Sequence, residues 1–162
     1  MKKSSFESAT FAMGCFWSPD LLFSKVPGVA KVEVGYIGGD EKKYPSPTYE
    51  QVCSNKTGYA EAVQVTFNPK KLDYNALLDL FWTNHNPTTM NRQGFDIGSQ
   101  YRSAIFFHSA AQKKLAEASK KKYQKKFERK IATQITKAKT FFPAEDYHQK
   151  YLEKRGKTSC RI

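Results

Sequence analysis

The pattern of apolar and polar positions along the chain predicts short strands separated by helices. Apolar residues alternate with polar ones, or form short apolar runs, at 6–13, 30–36 and 60–67. Alternation is typical of strands, because successive side chains point to opposite faces. Two later segments, 102–107 and 131–135, predict the last strands.

Helix signals lie between these strands. Ser18 is expected to cap a helix that has Pro19 in its first position, and Asp73 is expected to open a second, amphipathic helix. Ser109 and Gln112 match the capping-box pattern ahead of a lysine-rich helix. The order strand–helix–strand–strand–helix–strand, followed by a helix and a strand, predicts an α+β fold. We expect a two-layer sandwich with a mixed, mainly antiparallel sheet and a ferredoxin-like (split βαβ) core.

Two long polar segments and a C-terminal segment complete the prediction. Residues 37–58 and 86–100 are predicted loops, and loops of that length are often functional. Pro143 is expected to start a short helix that runs to about Leu152. A polar tail, at about 153–162, is expected to follow it.

Length and composition bound the class of protein. The 162 residues are 40% hydrophobic and 14% aromatic, which predicts one globular domain over 1–162. No apolar signal segment follows the N-terminus and no apolar run is long enough for a membrane span, so a cytoplasmic location is expected. Three cysteines without a CxxC pair argue against a disulfide scaffold, and three widely spaced histidines argue against a metal site.

The net charge of +12 is concentrated between Lys113 and Lys130. Such a segment could be a basic module that binds nucleic acid or an anionic surface. It could also be the solvated face of an ordinary surface helix, which we prefer. The preference rests on an apolar stripe at helical spacing, made of Ala111, Leu115, Ala118, Tyr123 and Phe127. No nucleic acid is therefore expected as a required partner.

A cysteine stands where the first strand is predicted to give way to the first helix, in the segment GCFWSPD. The free N–H groups and the dipole at a helix N-terminus favour an anion, so the pKa of Cys15 is predicted to fall below the ~8.5 of a free thiol. Adjacent side chains rarely both face one core. At least one of Phe16 and Trp17 is therefore expected to line a concavity suited to a methyl or thioether carbon.

Other interpretations of this cysteine stay open. It could be a buried, inert residue, or the reactive group of a thiol peroxidase. It could also act as a nucleophile with His85 or His148, as in Cys–His hydrolases. Cys53, before a Ser-Asn turn, is interpreted as structural.

Glu61 is the candidate acid. The alternation of the third strand places it on one face with Val63, Val65 and Phe67. Burial raises the pKa of a carboxyl group, and a carboxylic acid that stays protonated near neutral pH can act as a general acid. The alternative is a carboxylate at the strand end that pairs with a lysine.

Four further residues are candidates for binding a substrate, orienting the site or resolving an oxidised cysteine. Tyr49 and Tyr101 lie in predicted loops, where a phenol can hydrogen-bond an oxygen of a substrate. Asp96 could cap a turn or orient a backbone group. Cys160 lies in the polar tail, where a thiol could resolve a sulfenic acid by forming a disulfide. It could equally be a terminal cysteine without a function.

Six sequence blocks, in order along nearly the whole chain, carry a resemblance to a known family. They are GCFW (14–17), GYIGG (35–39), PTYEQVC (47–53), TGYAEAVQVTFNP (57–69), FWTNHNPTTMNRQGFDIGSQYRS (81–103) and FFPAEDYHQKYL (141–152). In content and order they resemble the A-type peptide methionine sulfoxide reductases.

The resemblance implies a redox cycle. Cys15 would be the thiolate that attacks the sulfur of methionine S-sulfoxide, free or in a protein, and Glu61 would deliver the proton to the departing oxygen. Cys160 would form a disulfide with Cys15, and thioredoxin would reduce it. No organic cofactor is expected, because thiols carry both electrons. We expect a monomer.

The resemblance also implies binding residues and shows departures. Phe16 and Trp17 would surround the methyl group of the substrate, and Asp96 would help to hold the site. Tyr49 and Tyr101 would hydrogen-bond the sulfoxide oxygen.

At three positions the chain departs from common family residues. A Glu is common where Asp20 stands, a His where Tyr59 stands, and an Asn where Phe95 stands.

Overall fold

The computed structural model describes residues 6–156, and Cys160 lies outside the described residues. In this part of the chain the strands are β1 (Glu7–Met13), β2 (Val29–Ile37), β3 (Ala60–Phe67), β4 (Arg92–Gln93), β5 (Asp96–Ile97), β6 (Ser103–Phe107), β7 (Gln134–Lys137) and β8 (Phe142–Pro143). The α-helices are α1 (Trp17–Ser24), α2 (Tyr49–Cys53), α3 (Tyr74–Thr83), α4 (Ala110–Gln124) and α5 (Tyr151–Lys154). Short 3₁₀ helices lie at Ser99–Tyr101 and Asp146–His148.

The main sheet has the order β7-β6-β1-β3-β2-β8. Its strands pair antiparallel except β6 and β7, which are parallel. The central four strands, β6-β1-β3-β2, are connected as β1-α1-β2-β3-α3-β6, which is the split βαβ topology. The predicted α+β fold with a mixed, mainly antiparallel sheet and a ferredoxin-like core is therefore confirmed.

The main core lies between this sheet and the helices. Phe11 of β1 is fully buried and stacks on Phe23 of α1, with ring centroids 5.5 Å apart. It also contacts Phe81 of α3 at a centroid distance of 5.3 Å. The alternation in β1 and the helical spacing in α3 thus direct their apolar faces to one common cluster.

The predicted apolar stripe of α4 is confirmed only in part: Leu115, Tyr123 and Phe127 pack in or against the core, whereas Ala111 and Ala118 do not. The buried residues of the helix are Gln112, Ala116, Ser119 and Tyr123, while Ala111 and Ala118 are exposed. Ser119 accepts a 2.9 Å hydrogen bond from the Trp82 indole of α3, so a polar side chain is satisfied inside the helix pair. None of the helices in residues 6–156 is long and apolar enough to span a membrane.

Helix α1 begins earlier than predicted. Its N-terminal cap is Phe16, whose side chain makes no capping bond, so Ser18 and Pro19 lie inside the first turn. Proline is compatible with that turn, because the first N–H groups of a helix have no partner within it.

The C-terminal segment also differs from the prediction. The helix predicted from Pro143 to about Leu152 is wrong, since Pro143 lies in β8 and pairs with Gly35 at the sheet edge. An edge strand tolerates proline, which lacks the N–H that a central strand would need. Within the described residues, which end at 156, a 3₁₀ turn and the short α5 follow it.

Candidate active site

The turn between β1 and α1 presents Cys15. Gly14 has a φ of +89°, which favours glycine, and a Cβ there would lie 2.7 Å from the Cβ of Gln93 in β4. The glycine therefore lets the β4–β5 hairpin pack directly against this turn. Cys15 follows as a partly exposed residue just before α1, which agrees with the predicted strand-to-helix position.

The predicted lowering of the Cys15 pKa is wrong. Burial raises the pKa of this thiol to about 12, and the negative charges of Glu61 and Asp96 raise it further. The hydrogen bond from the backbone of Trp17 lowers it, but by less than burial raises it. Desolvation therefore outweighs the helix N-terminus, and without substrate Cys15 is a neutral thiol at neutral pH.

Glu61 lies near the start of β3, and only 1% of it is exposed. The backbone N–H of Phe16 donates a 3.2 Å hydrogen bond to Oε1 of Glu61, while Oε2 is buried without a partner in residues 6–156. Burial raises the pKa of Glu61 to about 8; the Phe16 bond lowers it and the charge of Asp96 raises it. The carboxyl group is thus mostly protonated at pH 7 and has one free oxygen.

Tyr49 and Tyr101 are both half-buried, at the start of α2 and the end of a 3₁₀ helix. Burial raises the pKa of both phenols, and the charge of Glu61 contributes in each case. Both therefore remain protonated hydrogen-bond donors. Glu145 holds Tyr49 in place, since it accepts from the Tyr49 backbone N–H at 3.0 Å and from the Tyr36 hydroxyl at 2.9 Å.

The two aromatic residues after Cys15 have different environments. Phe16 is 1% exposed and packs in the core against Tyr36, at a ring centroid distance of 5.8 Å. Trp17 is partly exposed and stacks on Tyr151, with centroids 3.7 Å apart and planes 5° apart. Of these two residues, Trp17 has the surface that a ligand could contact.

Asp96 and Cys53 lie at the edges of this arrangement. Asp96 is exposed in β5, yet its charge raises the pKa of Cys15, Glu61 and Tyr101. Cys53 ends α2, is exposed and hydrogen-bonds the Tyr49 side chain, so it is not a core residue.

A metal centre is not indicated in residues 6–156, which contain no group of three or more His, Cys, Asp or Glu residues that could hold an ion.

Sequence reasoning missed two residues that support the site, Glu145 and Tyr151, and considered His148 only as a partner of Cys15 in a Cys–His hydrolase. His148 is 1% exposed; its Nδ1 accepts from the Trp17 indole at 3.1 Å, and its ring lies 4.4 Å from that of Tyr49. Its Nε2 is buried without a partner in the described part of the chain. The signal that marked these residues was the block FFPAEDYHQKYL, because no periodic pattern distinguishes them.

Comparisons with known proteins agree with this geometry. The sequence model described as peptide methionine sulfoxide reductase matches residues 7–162. A peptide methionine sulfoxide reductase MsrA of Methanococcus maripaludis is 55% identical over 150 residues, which is 93% of this chain and 94% of that protein. The reductase A2 of Arabidopsis thaliana is 53% identical, over 93% of this chain and 67% of that protein.

Solved structures give the same result. The reduced form of Mxr1 from Saccharomyces cerevisiae superposes with a TM-score of 0.91 at 41% identity, covering 96% of this chain and 88% of that one. Mxr1 in complex with Trx2 has a TM-score of 0.65 at 29% identity, with coverages of 93% and 87%.

The fold and the sequence comparisons thus define an α+β oxidoreductase enzyme. This chain belongs to the peptide methionine sulfoxide reductase family.

Proposed function

We propose that this protein reduces the S epimer of methionine sulfoxide, free or protein-bound, to methionine, and so repairs oxidised proteins. The main support for this proposal is the carboxyl group of Glu61, which its raised pKa of about 8 keeps neutral. It accepts a hydrogen bond from the backbone N–H of Phe16, the residue after Cys15, and its second oxygen is buried without a partner among residues 6–156. A thiol and a protonated acid side by side are what sulfoxide reduction requires, because oxygen leaves sulfur readily only when it is protonated.

The reductase step begins with attack of the Cys15 sulfur on the sulfoxide sulfur. Glu61 donates its proton to the oxygen as negative charge develops there. The attack forms a bond between the two sulfur atoms, and the protonated oxygen then moves to Cys15 as that S–S bond and the substrate S–O bond break. Cys15 is left as a sulfenic acid, the substrate sulfur has gained two electrons as methionine, and the thiol proton of Cys15 restores the acid form of Glu61. While Glu61 is neutral, it does not raise the pKa of Cys15 by charge repulsion, so the thiol gives up its proton more readily than it would beside an ionised Glu61.

Three residues contact the substrate in this proposal, Phe16 supports one of them from the core, and Asp96 helps to hold the site. Tyr49 and Tyr101 donate hydrogen bonds to the sulfoxide oxygen, as raised phenol pKa values allow. Trp17 contacts the methyl group through its open surface, and the buried Phe16 backs this wall from the core. Asp96 contributes negative charge that keeps Glu61 protonated.

Cys160 completes the cycle in the proposal. Its thiol attacks the sulfenic acid, which forms a Cys15–Cys160 disulfide and releases water. Thioredoxin then reduces the disulfide, and no organic cofactor is needed. Support for this partner comes from the yeast relative Mxr1, which has a solved structure in complex with Trx2. We infer a monomer that works in a reducing compartment such as the cytoplasm.

The proposal is tested by steady-state turnover with thioredoxin, its reductase and NADPH. Methionine S-sulfoxide should be consumed, and the R epimer should not. Hydrogen peroxide in place of the sulfoxide separates this activity from a thiol peroxidase. Fast peroxide consumption without sulfoxide reduction would contradict the proposal.

A further inference from the structure

A buried acid of α1 is bonded to a residue at the far end of the described chain. Asp20 is 1% exposed, and its Oδ2 accepts a 2.7 Å hydrogen bond from the backbone N–H of Lys150. The ammonium of Lys150 lies 3.3 Å from Oδ1 of Asp20 and donates a 2.8 Å bond to Ser24. Main chain and side chain of one residue thus contact the same carboxylate.

The backbone conformation of Lys150 explains why both its N–H and its ammonium group contact Asp20. Its φ of +56° lies in the left-handed region, which residues other than glycine adopt at a cost. The two bonds to Asp20 hold the chain in this conformation just before α5 begins at Tyr151. The direction in which α5 leaves, and the placement of its first side chain, therefore depend on Asp20.

That first side chain is the one that covers Trp17. Tyr151 stacks on the indole at 3.7 Å with nearly parallel planes, and His148 accepts the indole N–H at 3.1 Å. Trp17 and Asp20 lie in the same helix, three residues apart. Asp20 contacts Lys150, which directly precedes Tyr151, and Tyr151 stacks on Trp17. Asp20 and Trp17, both in α1, are therefore connected through the segment that leads into α5.

A stabilising role alone does not account for this pair. Burial raises the pKa of Asp20 by more than the contacts with Lys150 and Ser24 lower it. The free energy lost when the carboxylate leaves water therefore exceeds the free energy gained from these partners. Asp20 is buried but the Lys150 side chain is 37% exposed, and ion pairs, whether buried or at the surface, often add little net stability. A pair that is retained at such a cost can instead select one conformation.

We propose that Asp20 and Lys150, here called the 20–150 clamp, are positioning residues that set the Trp17 indole and thereby the affinity for the sulfoxide methyl group. The clamp deepens the proposed function and rests on it. It does not touch the substrate, and it acts through Tyr151. Its loss loosens substrate binding more than it slows the chemical step.

The test compares Asp20→Asn and Lys150→Met with the wild-type protein in thioredoxin-coupled turnover of methionine S-sulfoxide. Each variant removes a charge-assisted contact, so KM should rise about tenfold while kcat changes about twofold or less. Asp20→Asn combined with Tyr151→Leu should raise KM no further than Tyr151→Leu alone, because both act on one element. Unchanged KM, or effects that multiply, would overturn the clamp.

A surface ion pair serves as a matched control. Lys31 and Glu33 lie 3.3 Å apart on an exposed part of β2, and Lys31→Met should leave KM unchanged. If Asp20→Asn fails to fold, as judged by its thermal transition, Lys150→Met decides the question alone. A wild-type protein that does not reduce the sulfoxide defeats the proposed function. An active wild type with variants of normal KM defeats only the clamp.

Discussion

The backbone N–H of Phe16 donates a hydrogen bond to Oε1 of Glu61 at 3.2 Å. Phe16 follows Cys15 in the turn after β1, whereas Glu61 belongs to β3. The bond therefore fastens the thiol-bearing turn to the acid and leaves Oε2 of Glu61 unpartnered in the described part of the chain. Because the bond uses only one carboxyl oxygen, the other remains available to a bound substrate.

Glu61 should make stability depend on pH. Its folded pKa of about 8 exceeds the ordinary 4.5, so its contribution to the free energy of unfolding is complete below about pH 4.5. That contribution is lost as pH rises to about 8.

The Glu61→Gln variant has no carboxyl group at this position to ionise. Between about pH 4.5 and pH 8, its free energy of unfolding relative to wild type should therefore increase by at most about 1.4 kcal/mol per pH unit. Urea unfolding at pH 5 and pH 8 measures this difference. Equal stability differences at the two pH values would show that Glu61 is not buried as a neutral acid.

Alkylation should report the raised pKa of Cys15. Since the thiolate reacts and the pKa is about 12, labelling by iodoacetamide should be slow at pH 7 and should increase about tenfold per pH unit. Glu61→Gln removes a negative charge and should accelerate labelling at pH 9. Mass spectrometry of the Cys15 peptide measures the rate, and exposed Cys53 provides an internal comparison. Labelling of Cys15 at pH 7 as fast as a free thiol would contradict this.

The two phenols should matter in the reductase step. Tyr49→Phe and Tyr101→Phe each remove a donor to the sulfoxide oxygen and should slow a single turnover about tenfold or more. Tyr147→Phe is the control, because that tyrosine is 57% exposed and has no role in the proposal. Stopped-flow measurement of methionine formation distinguishes the three variants. A Tyr147→Phe defect as large as the other two would point to a general effect of losing a phenol.

Cys160 should be needed only for recycling. Cys160→Ser should still release one methionine per chain, because attack by Cys15 precedes disulfide formation. With thioredoxin it should then stall at the sulfenic acid. Steady-state turnover followed by NADPH consumption measures this, with the wild-type protein as the reference. Wild-type turnover by Cys160→Ser would exclude the resolving role.

Much of the fold could be predicted because its strongest signals are local. The strand predicted at 60–67 matches β3, and Glu61 is buried, which was one of the two interpretations that its alternation left open. Asp73 caps α3 as predicted and accepts from the N–H of Ala76 at 2.9 Å. In these elements residue propensity, helix capping and hydrophobic pattern all indicate the same structure, so the sequence alone identifies it.

Other features depend on contacts that a local pattern does not show. The buried face of α4 includes Gln112 and Ser119, which are satisfied by the Ser8 carbonyl and the Trp82 indole. The same limit applies to the Cys15 pKa, because the sequence indicates a helix end but not the depth of burial. The β4–β5 hairpin and the segment 143–152 were missed since their elements are too short to be periodic.

The most direct test of the central claim is a single-turnover assay with methionine S-sulfoxide and no external reductant. We expect one methionine per wild-type chain and none from Cys15→Ser. Folded Glu61→Gln should form methionine about a hundredfold more slowly, since general acids contribute at least that much. Methionine release by Cys15→Ser, or a wild-type rate in Glu61→Gln, would show that Cys15 and Glu61 do not carry out the reduction.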